Sequence, residues 1–154
     1  MKHGKILFCA SAGGHYTELL QLAPLINKYQ GVIITEKTSI SNSSKFKTKY
    51  VPYSSRNEGF IYLFKYFYVC LLSLIYFIQY RPKVIISTGV HSTLPICLLG
   101  WVFRKKVIYI ETVAVINKPT ITGKVMKLLA SDFYVQWEDL LEVYPNGIYG
   151  GVLF

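Results

Sequence analysis

A glycine-rich segment with a histidine, Ser11-Ala12-Gly13-Gly14-His15, follows the first apolar run of the chain and precedes a helical pattern. Glycine lets a backbone approach a ligand closely, and the free N–H groups at the start of a helix favour an anionic oxygen, such as that of a diphosphate. Histidine titrates near neutrality and can act as a general base toward a sugar hydroxyl. The segment predicts an anion site at Ser11, Gly13 and Gly14 beside a catalytic His15. A tight turn with a capping histidine is the alternative.

A second candidate segment, from Ser87 to Pro95, follows another apolar run in the same way. Small residues end the strand, and Pro95 suits the first turn of the next helix, so this helix start also points to the ligand-binding edge of a parallel sheet. For a histidine in such a loop, simple solvation is the alternative to ligand binding. The diphosphate-binding candidates here are Gly89, His91, Ser92 and Thr93.

The third candidate is Glu111, which follows the apolar run KVIYI. A carboxylate at this edge of a sheet can bind sugar hydroxyls or assist His15, and we predict it as a second catalytic residue. A surface glutamate without a role is the alternative. The following loop carries Lys118 and Lys124, which suit phosphate or lipid head groups. No His or Cys spacing typical of a metal site is present, and we predict neither a metal nor a cofactor.

All three segments follow short runs rich in β-branched and aromatic residues, which are typical of buried strands. The predicted strands are 5–10, 31–35, 83–87, 106–110 and 133–136. Helical patterns lie between them at 16–29, 93–103 and 120–130. The alternation predicts an α/β fold, a Rossmann-like parallel sheet with helices on both faces, in one domain covering 1–154. Right-handed crossovers then bring every strand-to-helix loop to one edge.

The segment 60–80 is almost continuously apolar and rich in aromatic residues. Lys65 and Gln79 interrupt it, and a membrane span here would separate strands of one sheet. We interpret it as a crossover helix, about 58–80, that dips into the head-group region of a membrane. A helix buried on all sides and a true span are the alternatives. The predicted membrane-interface residues are Phe60, Tyr62, Lys65, Tyr66, Tyr68, Tyr76 and Arg81.

The net charge of +9 is unevenly placed. All 17 Lys and Arg residues lie within 1–127 together with only four acidic residues. A basic body favours phosphates, acidic lipid or nucleic acid, with a plain solvated surface as the alternative. A nucleic-acid binder is disfavoured because no helix-turn-helix, zinc or RRM-like signature is present. The polar segment 36–49, with four lysines, predicts a mobile surface loop without regular structure.

Cysteine usage and the start of the chain indicate the compartment. Cys9, Cys70 and Cys97 lie far apart within apolar runs, which favours reduced core residues in a cytosolic protein. The first residues lead directly into a strand, so we expect no signal peptide.

Together, three stretches in the same order resemble a family of bacterial capsule and exopolysaccharide proteins of the PssD/CpsF type. The stretches are SAGGHYTELL, PKVIISTGVHSTLP and VIYIETVAVINKPTITGKVMKLLASDFYVQWEDL. That family is similar to the membrane-anchoring subunit of the split N-acetylglucosaminyltransferase that acts on dolichol-linked oligosaccharide. It also resembles the amino-terminal half of MurG-type transferases. The resemblance covers nearly the whole chain.

The resemblance implies the amino-terminal half of a GT-B glycosyltransferase, which forms a heterodimer with a donor-binding subunit. The acceptor would be a polyprenyl-diphosphate-linked saccharide at the cytoplasmic face of the cell membrane. Gly13, Gly14 and His15 would belong to the acceptor-diphosphate loop, Gly89 and Pro95 to a second glycine loop, and Glu111 to the motif after the next strand.

Two departures from the family pattern are visible. The eukaryotic subunit has an amino-terminal transmembrane anchor that this sequence does not show, and STGVHSTLP stands where the MurG type has a double glycine. The sequence stops at 149–154, where the link to a donor half would start, so we expect transfer only with a partner. The alternative is a non-catalytic membrane adaptor that recruits and enhances the catalytic subunit.

Overall fold

The computed structural model describes residues 5–42, 44–54, 56–89 and 91–153, in which seven parallel strands form one sheet. The order is β3-β2-β1-β4-β5-β6-β7. The sheet is thus extended on one side of β1 by β2 and β3 and on the other side by β4 to β7, and the strand order reverses between β1 and β4. This confirms the predicted α/β fold. In such sheets the ligand crevice lies at the carboxyl ends of the strands where the order reverses. The strands are β1 Ile6–Ala10, β2 Val32–Glu36, β3 Thr48–Val51, β4 Val84–Ser87, β5 Lys106–Ile110, β6 Asp132–Val135 and β7 Ile148–Tyr149.

Helices cover both faces of the sheet. They are α1 Gly14–Leu20, α2 Ala23–Lys28, α3 Ser39–Asn42, α4 Phe60–Tyr80, α5 Leu94–Val102, α6 Ile121–Leu129 and α7 Leu140–Val143, with short 3₁₀ turns at Arg56–Glu58 and His91–Thr93. Alternate residues of a strand point to opposite faces. Accordingly, Leu7 and Cys9 pack in a core with α4, α5 and α6, whereas Phe8 and Ala10 pack in a second core with α1 and α2.

Two predictions about the amino-terminal half are wrong. The pattern at 16–29 forms two helices, because Pro24 at the start of α2 lacks the N–H that would continue α1. The segment 36–49 contains α3 and the start of β3, the outermost strand. β3 is short and half polar, with Thr48 and Lys49 before its two apolar residues, so it lacks the pattern of a buried strand. Lysine on an edge strand also protects the sheet from pairing with another chain.

The long helix α4 begins and ends where the sequence predicts a crossover helix. It connects β3 to β4, which both belong to the sheet, so it does not separate two halves of the fold across a bilayer. By length and composition it is nevertheless the one described helix that could cross a membrane. It buries a single stripe against the protein, formed by Val69, Ser73, Phe77 and Tyr80. The alternative of a helix buried on all sides is therefore wrong.

Candidate functional site

The loops after β1 and β4 lie side by side at the point where the strand order reverses. The N–H of Ser11 donates to the carbonyl oxygen of Gly89 at 2.8 Å, and the N–H of Thr88 donates to that of Cys9 at 3.1 Å. Gly13 and Gly89 have φ values of +82° and +101°, a conformation that favours glycine at both positions. The sequence prediction that the two glycine segments meet at one edge is confirmed.

His15 contacts the second loop through both its ring and its backbone. Its Nδ1 lies 2.8 Å from the carbonyl oxygen of Thr88, and the hydroxyl of Thr88 donates to the carbonyl oxygen of His15 at 2.8 Å. Because a carbonyl oxygen only accepts, Nδ1 carries the proton in this contact. In a neutral ring Nε2 is then the unprotonated nitrogen, which is the one that can accept a proton from a substrate. The side chain is 24% exposed, so solvent or a ligand reaches it.

Gly13 and Gly14 are the exposed part of the first glycine segment, whereas Ser11 is buried and Ala12 half-buried. The N–H of Ala12 donates to Glu36 Oε2 at 2.9 Å, so one N–H of this segment bonds within the protein. Glu36 ends β2 and is buried. A ligand approaching this segment would therefore meet Gly13 and Gly14 first.

Sequence reasoning missed Glu18, a buried carboxylate three residues after His15 on α1. Its Oε1 accepts from the hydroxyl of Thr112 at 2.7 Å and from the N–H of Val113 at 2.9 Å, which joins α1 to the loop after β5. Its Oε2 lies 4.0 Å from His15 Nδ1 and has no hydrogen-bond partner among the described residues. A signal was present in the sequence, since a carboxylate placed beside apolar Leu19 requires polar partners when buried.

Glu111 is buried, so the alternative of a surface glutamate is wrong. Its carboxylate accepts from the hydroxyl of Tyr144 at 3.1 Å, the N–H of Thr112 at 3.2 Å and the hydroxyl of Tyr109 at 3.3 Å. Burial raises its pKa, and these hydrogen bonds offset part of that rise. The hydroxyl of Tyr109 also lies close to Gly89 of the second loop, since a Cβ built on this glycine would be 3.2 Å from it.

The other candidates of the second loop face the protein. The Nε2 atom of His91 lies 3.1 Å from the carbonyl oxygen of Ser54, and its ring centroid lies 6.2 Å and 6.4 Å from those of Tyr62 and Tyr66. Ser92 and Thr93 are buried at 4% and 3% exposure. Thr93 accepts a hydrogen bond from the hydroxyl of Ser87 at 3.0 Å. His91 therefore points toward α4, and Ser92 and Thr93 point into the protein interior.

The predicted membrane-interface residues divide into two groups. Phe60, Tyr68 and Arg81 are exposed. The tyrosines at 62, 66 and 76 and Lys65 are half-buried: Tyr66 and Tyr76 donate to carbonyl oxygens of the protein, and Lys65 bonds with Glu58. A tyrosine hydroxyl needs a polar partner when it is partly buried, which explains this orientation.

Aliphatic side chains and phenylalanine form the outward face of α4 instead. Phe60, Phe64 and Phe67 are 83%, 77% and 72% exposed. The apolar face continues onto the neighbouring helices. Its members are Phe60, Ile61, Leu63, Phe64, Phe67, Tyr68, Leu71, Leu74, Ile75 and Ile78 of α4, Leu98, Trp101 and Val102 of α5, and Ile121, Val125 and Leu128 of α6. An exposed apolar surface of this extent marks a membrane or protein interaction site.

Basic residues dominate the charged part of the protein surface. Of the four acidic residues within 1–127, Glu18, Glu36 and Glu111 are buried and Glu58 bonds with Lys65. Four lysines (Lys5, Lys28, Lys45 and Lys47) line a cavity of about 630 Å³ at the amino ends of the strands. In the described ranges, no three His, Cys, Asp or Glu residues lie together as a metal site would require.

Comparisons of the sequence agree on one family. The model described as "Oligosaccharide biosynthesis protein Alg14 like" matches residues 6–153. The UDP-N-acetylglucosamine transferase subunit ALG14 of Mus musculus is 29% identical, over 96% of this chain and 82% of the mouse protein. The subunit of the same name from Candida albicans is 26% identical, over 92% of this chain and 74% of its own length.

Solved structures share the fold at low sequence identity. MurG of Acinetobacter baumannii superposes with a TM-score of 0.68 at 16% identity, over 88% of this chain and 42% of MurG. The UDP-N-acetylglucosamine 2-epimerase of Rickettsia bellii gives a TM-score of 0.72 at 10% identity, over 97% of this chain and 45% of the epimerase. The chain thus spans less than half of either structure. These similarities confirm the predicted fold, a Rossmann-like parallel sheet like that of the amino-terminal half of GT-B glycosyltransferases.

Proposed function

Since the chain belongs to the Alg14-like family of oligosaccharide biosynthesis proteins, we propose that it is the acceptor-binding, membrane-associating subunit of a two-component glycosyltransferase. The complex transfers a sugar from a nucleotide sugar to a polyprenyl-diphosphate-linked saccharide. A partner subunit binds the donor and forms a heterodimer with this chain. The setting that we propose is capsular or exopolysaccharide synthesis, as in proteins of the PssD/CpsF type, at the cytoplasmic face of the cell membrane.

The contact between His15 and Thr88 is the observation that carries this proposal. It holds a partly exposed imidazole between the loops of β1 and β4, where ligands bind in sheets of this order, and it orients Nε2 as a proton acceptor. Exposed Gly13 and Gly14 lie immediately before it and suit the acceptor diphosphate. Ser11 and Gly89 contribute by joining the two loops.

The chemistry follows from this geometry. The acceptor hydroxyl oxygen attacks the anomeric carbon of the donor sugar, and its proton passes to Nε2 of His15. The bond between the anomeric carbon and the nucleotide diphosphate breaks, and its electron pair leaves with the diphosphate. Glu111 acts in this scheme through Tyr109, because its carboxylate is enclosed by its hydrogen-bond donors. No metal or cofactor enters the scheme.

Two features support association with a membrane. The apolar face of α4, α5 and α6 would be buried among lipid tails. Lys5 and Lys47, whose ammonium groups lie 5.2 Å and 5.8 Å from the ring centre of Tyr80 at the end of α4, would be attracted to anionic head groups. Phe60, Phe64 and Phe67 replace the tyrosines at 62, 66 and 76 as the aromatic residues that would enter the membrane. A peripheral position is proposed because α4 connects two strands of one sheet.

A single Rossmann-like half provides one wall of an interdomain cleft. Closure against a donor-binding wall would exclude water and align the donor with the acceptor hydroxyl. The experiment is to purify the chain, its donor-binding partner and the complex, and to measure transfer to a lipid-linked acceptor with a panel of nucleotide sugars. We expect transfer by the complex alone. Tight donor binding and turnover by the chain without a partner would overturn the proposal, and weak activity of the partner alone would support a non-catalytic adaptor.

A further inference from the structure

A narrow apolar groove runs between α4, α5 and α6, within the exposed apolar face. Its walls include Tyr66, Cys70 and Leu74 of α4, Leu94 and Leu98 of α5, and Val125 of α6. The α4 residues are four positions apart and therefore lie on one side of the helix. Leu74, Leu98 and Val125 are each 39–46% exposed, so the groove is open along its length.

The groove begins beside the candidate reaction site. Leu94 directly follows the 3₁₀ turn His91–Thr93, which spans about 6 Å at the rise of such a turn. On the other side of this turn lies Gly89, next to His15 and Tyr109. Tyr66, at the same end of the groove, donates from its hydroxyl to the carbonyl oxygen of His91 at 3.4 Å. A polar site and an apolar channel thus adjoin, which is the arrangement that an amphiphile with an anionic head requires.

The lining of the groove selects the kind of occupant. Over the roughly 12 Å of helix from Tyr66 to Leu74, its walls are apolar apart from the thiol of Cys70 and the hydroxyl of Tyr66, which donates to the protein. A polar ligand would find almost no hydrogen-bond partners along such walls, whereas a hydrocarbon chain needs none. An apolar chain that carries an anionic head therefore fits the groove and the adjoining polar site together.

We propose that this groove binds the first isoprene units of the acceptor's polyprenyl chain while its diphosphate lies at the glycine segments. The inference rests on the proposed function, since that function supplies the amphiphilic acceptor. The groove gives the enzyme contact with the tail of the acceptor as well as with its head. It also directs the chain from the carboxyl edge of the sheet onto the apolar face, where the rest of the tail enters the membrane.

The test uses the two-subunit complex in detergent, with two acceptors that carry the same saccharide diphosphate on a phytanyl or a propyl group. Leu74→Trp fills the groove, and Gln79→Trp places the same side chain on an exposed position of α4 outside the groove and outside the apolar face. For Leu74→Trp we expect the KM of the phytanyl acceptor to rise about tenfold with kcat unchanged, and the KM of the propyl acceptor to stay constant. Gln79→Trp should change neither value.

Other outcomes overturn the inference. Equal effects on both acceptors, or no effect on either, would mean that the groove does not bind the chain. Loss of complex in size-exclusion chromatography of Leu74→Trp alone would assign the groove to the partner subunit, and a change only in vesicle co-sedimentation would assign it to bilayer lipid.

A readout without transfer separates this inference from the proposed function. A phytanyl diphosphate with a diazirine on its first isoprene unit should label peptides of α4, α5 or α6 in wild type and less so in Leu74→Trp. Labelling without any transfer by the wild-type complex would contradict the proposed function and leave the groove inference standing. Transfer without such labelling would support the proposed function and contradict the groove inference.

Discussion

The two histidine loops look alike in sequence but have different surroundings in the structure. Each follows a buried parallel strand, contains glycine and precedes a helix. His15 lies between the loops, 24% exposed, with Nδ1 bonded to Thr88. The ring of His91 contacts Tyr62 and Tyr66 of α4 and bonds with Ser54. One loop holds a partly exposed imidazole at the sheet edge, and the other connects that edge to α4.

The difference arises from the neighbours of each loop in the sheet. The β1 loop lies between β2 and β4, so carboxylates from β2 and α1 contact its backbone and histidine. The β4 loop lies under the amino-terminal part of α4, which offers an aromatic surface to the second histidine. A loop motif therefore predicts the edge at which a side chain lies, whereas the adjacent element decides the direction in which it points.

The largest expected effect distinguishes the two histidines. His15→Ala should lower kcat of the complex by about 10²–10⁴-fold, the usual contribution of a general base. His91→Ala should change kcat by far less, because its imidazole bonds within the protein. Both variants should still form the complex in size-exclusion chromatography. Equal losses would show that both loops act on the acceptor, and unchanged turnover by His15→Ala would remove this residue from the mechanism.

A smaller effect is expected from the two glycines of the first loop. Gly13→Ala should lower the free energy of unfolding by about 1–3 kcal/mol, because φ is +82° there. Gly14→Ala should leave stability equal or slightly raised, since Gly14 lies in α1 and a Cβ there meets nothing within 4 Å. Chemical denaturation measures both.

The same pair tests whether a ligand approaches this loop. A Cβ on Gly14 would occupy space that the structure leaves open, so Gly14→Ala should raise the KM for the acceptor in spite of its unchanged stability. An unchanged KM would indicate that the diphosphate binds elsewhere.

The smallest expected effect concerns Glu111, which accepts a hydrogen bond from Tyr109 beside Gly89. Burial raises its pKa above the ordinary value of 4.5, so the folded protein holds a proton that the unfolded chain releases first. The free energy of unfolding should therefore fall as pH rises from about 4.5 through the raised pKa. Glu111→Gln should lose this part of the pH dependence in denaturation curves.

Activity of the same variant tests whether Glu111 takes part directly. If Glu111 acts through Tyr109, Glu111→Gln should lower kcat of the complex by much less than the roughly 10²–10⁴-fold expected for loss of a direct acid or base. A loss in that range would restore Glu111 as a catalytic residue.

Much of the architecture could be predicted from the sequence. The buried strands of a parallel sheet are short apolar runs, and the runs at 106–110 and 83–87 coincide with β5 and β4 within a residue. The bounds of α4 follow from its composition in the same way. Strands at the rim of the sheet were missed. β3 begins with Thr48 and Lys49 and has only two apolar residues, and β7 has only two residues in all, so neither shows the pattern of a buried strand.

The candidate site could be predicted only in part. Glycine and histidine spacing located His15 and its loop, because local chemistry defines such segments. Glu18 and Glu36 were missed because their importance depends on contacts across the fold, with Val113 and with Ala12. The hydrogen bonds of Tyr66 and Tyr76 to the protein could not be predicted because the carbonyl oxygens that they bond, those of His91 and Tyr50, are distant in sequence.

The position of α4 between β3 and β4 also constrains how the protein is made. Insertion of this helix across a bilayer during synthesis would leave β1 to β3 on one side and β4 to β7 on the other, and the sheet could never assemble. Lys65, Ser73 and Gln79 each reduce the tendency of the segment to enter the translocon. The membrane association that we propose thus requires a helix with enough apolar character to reach lipid after folding and enough polarity to escape the insertion machinery before it.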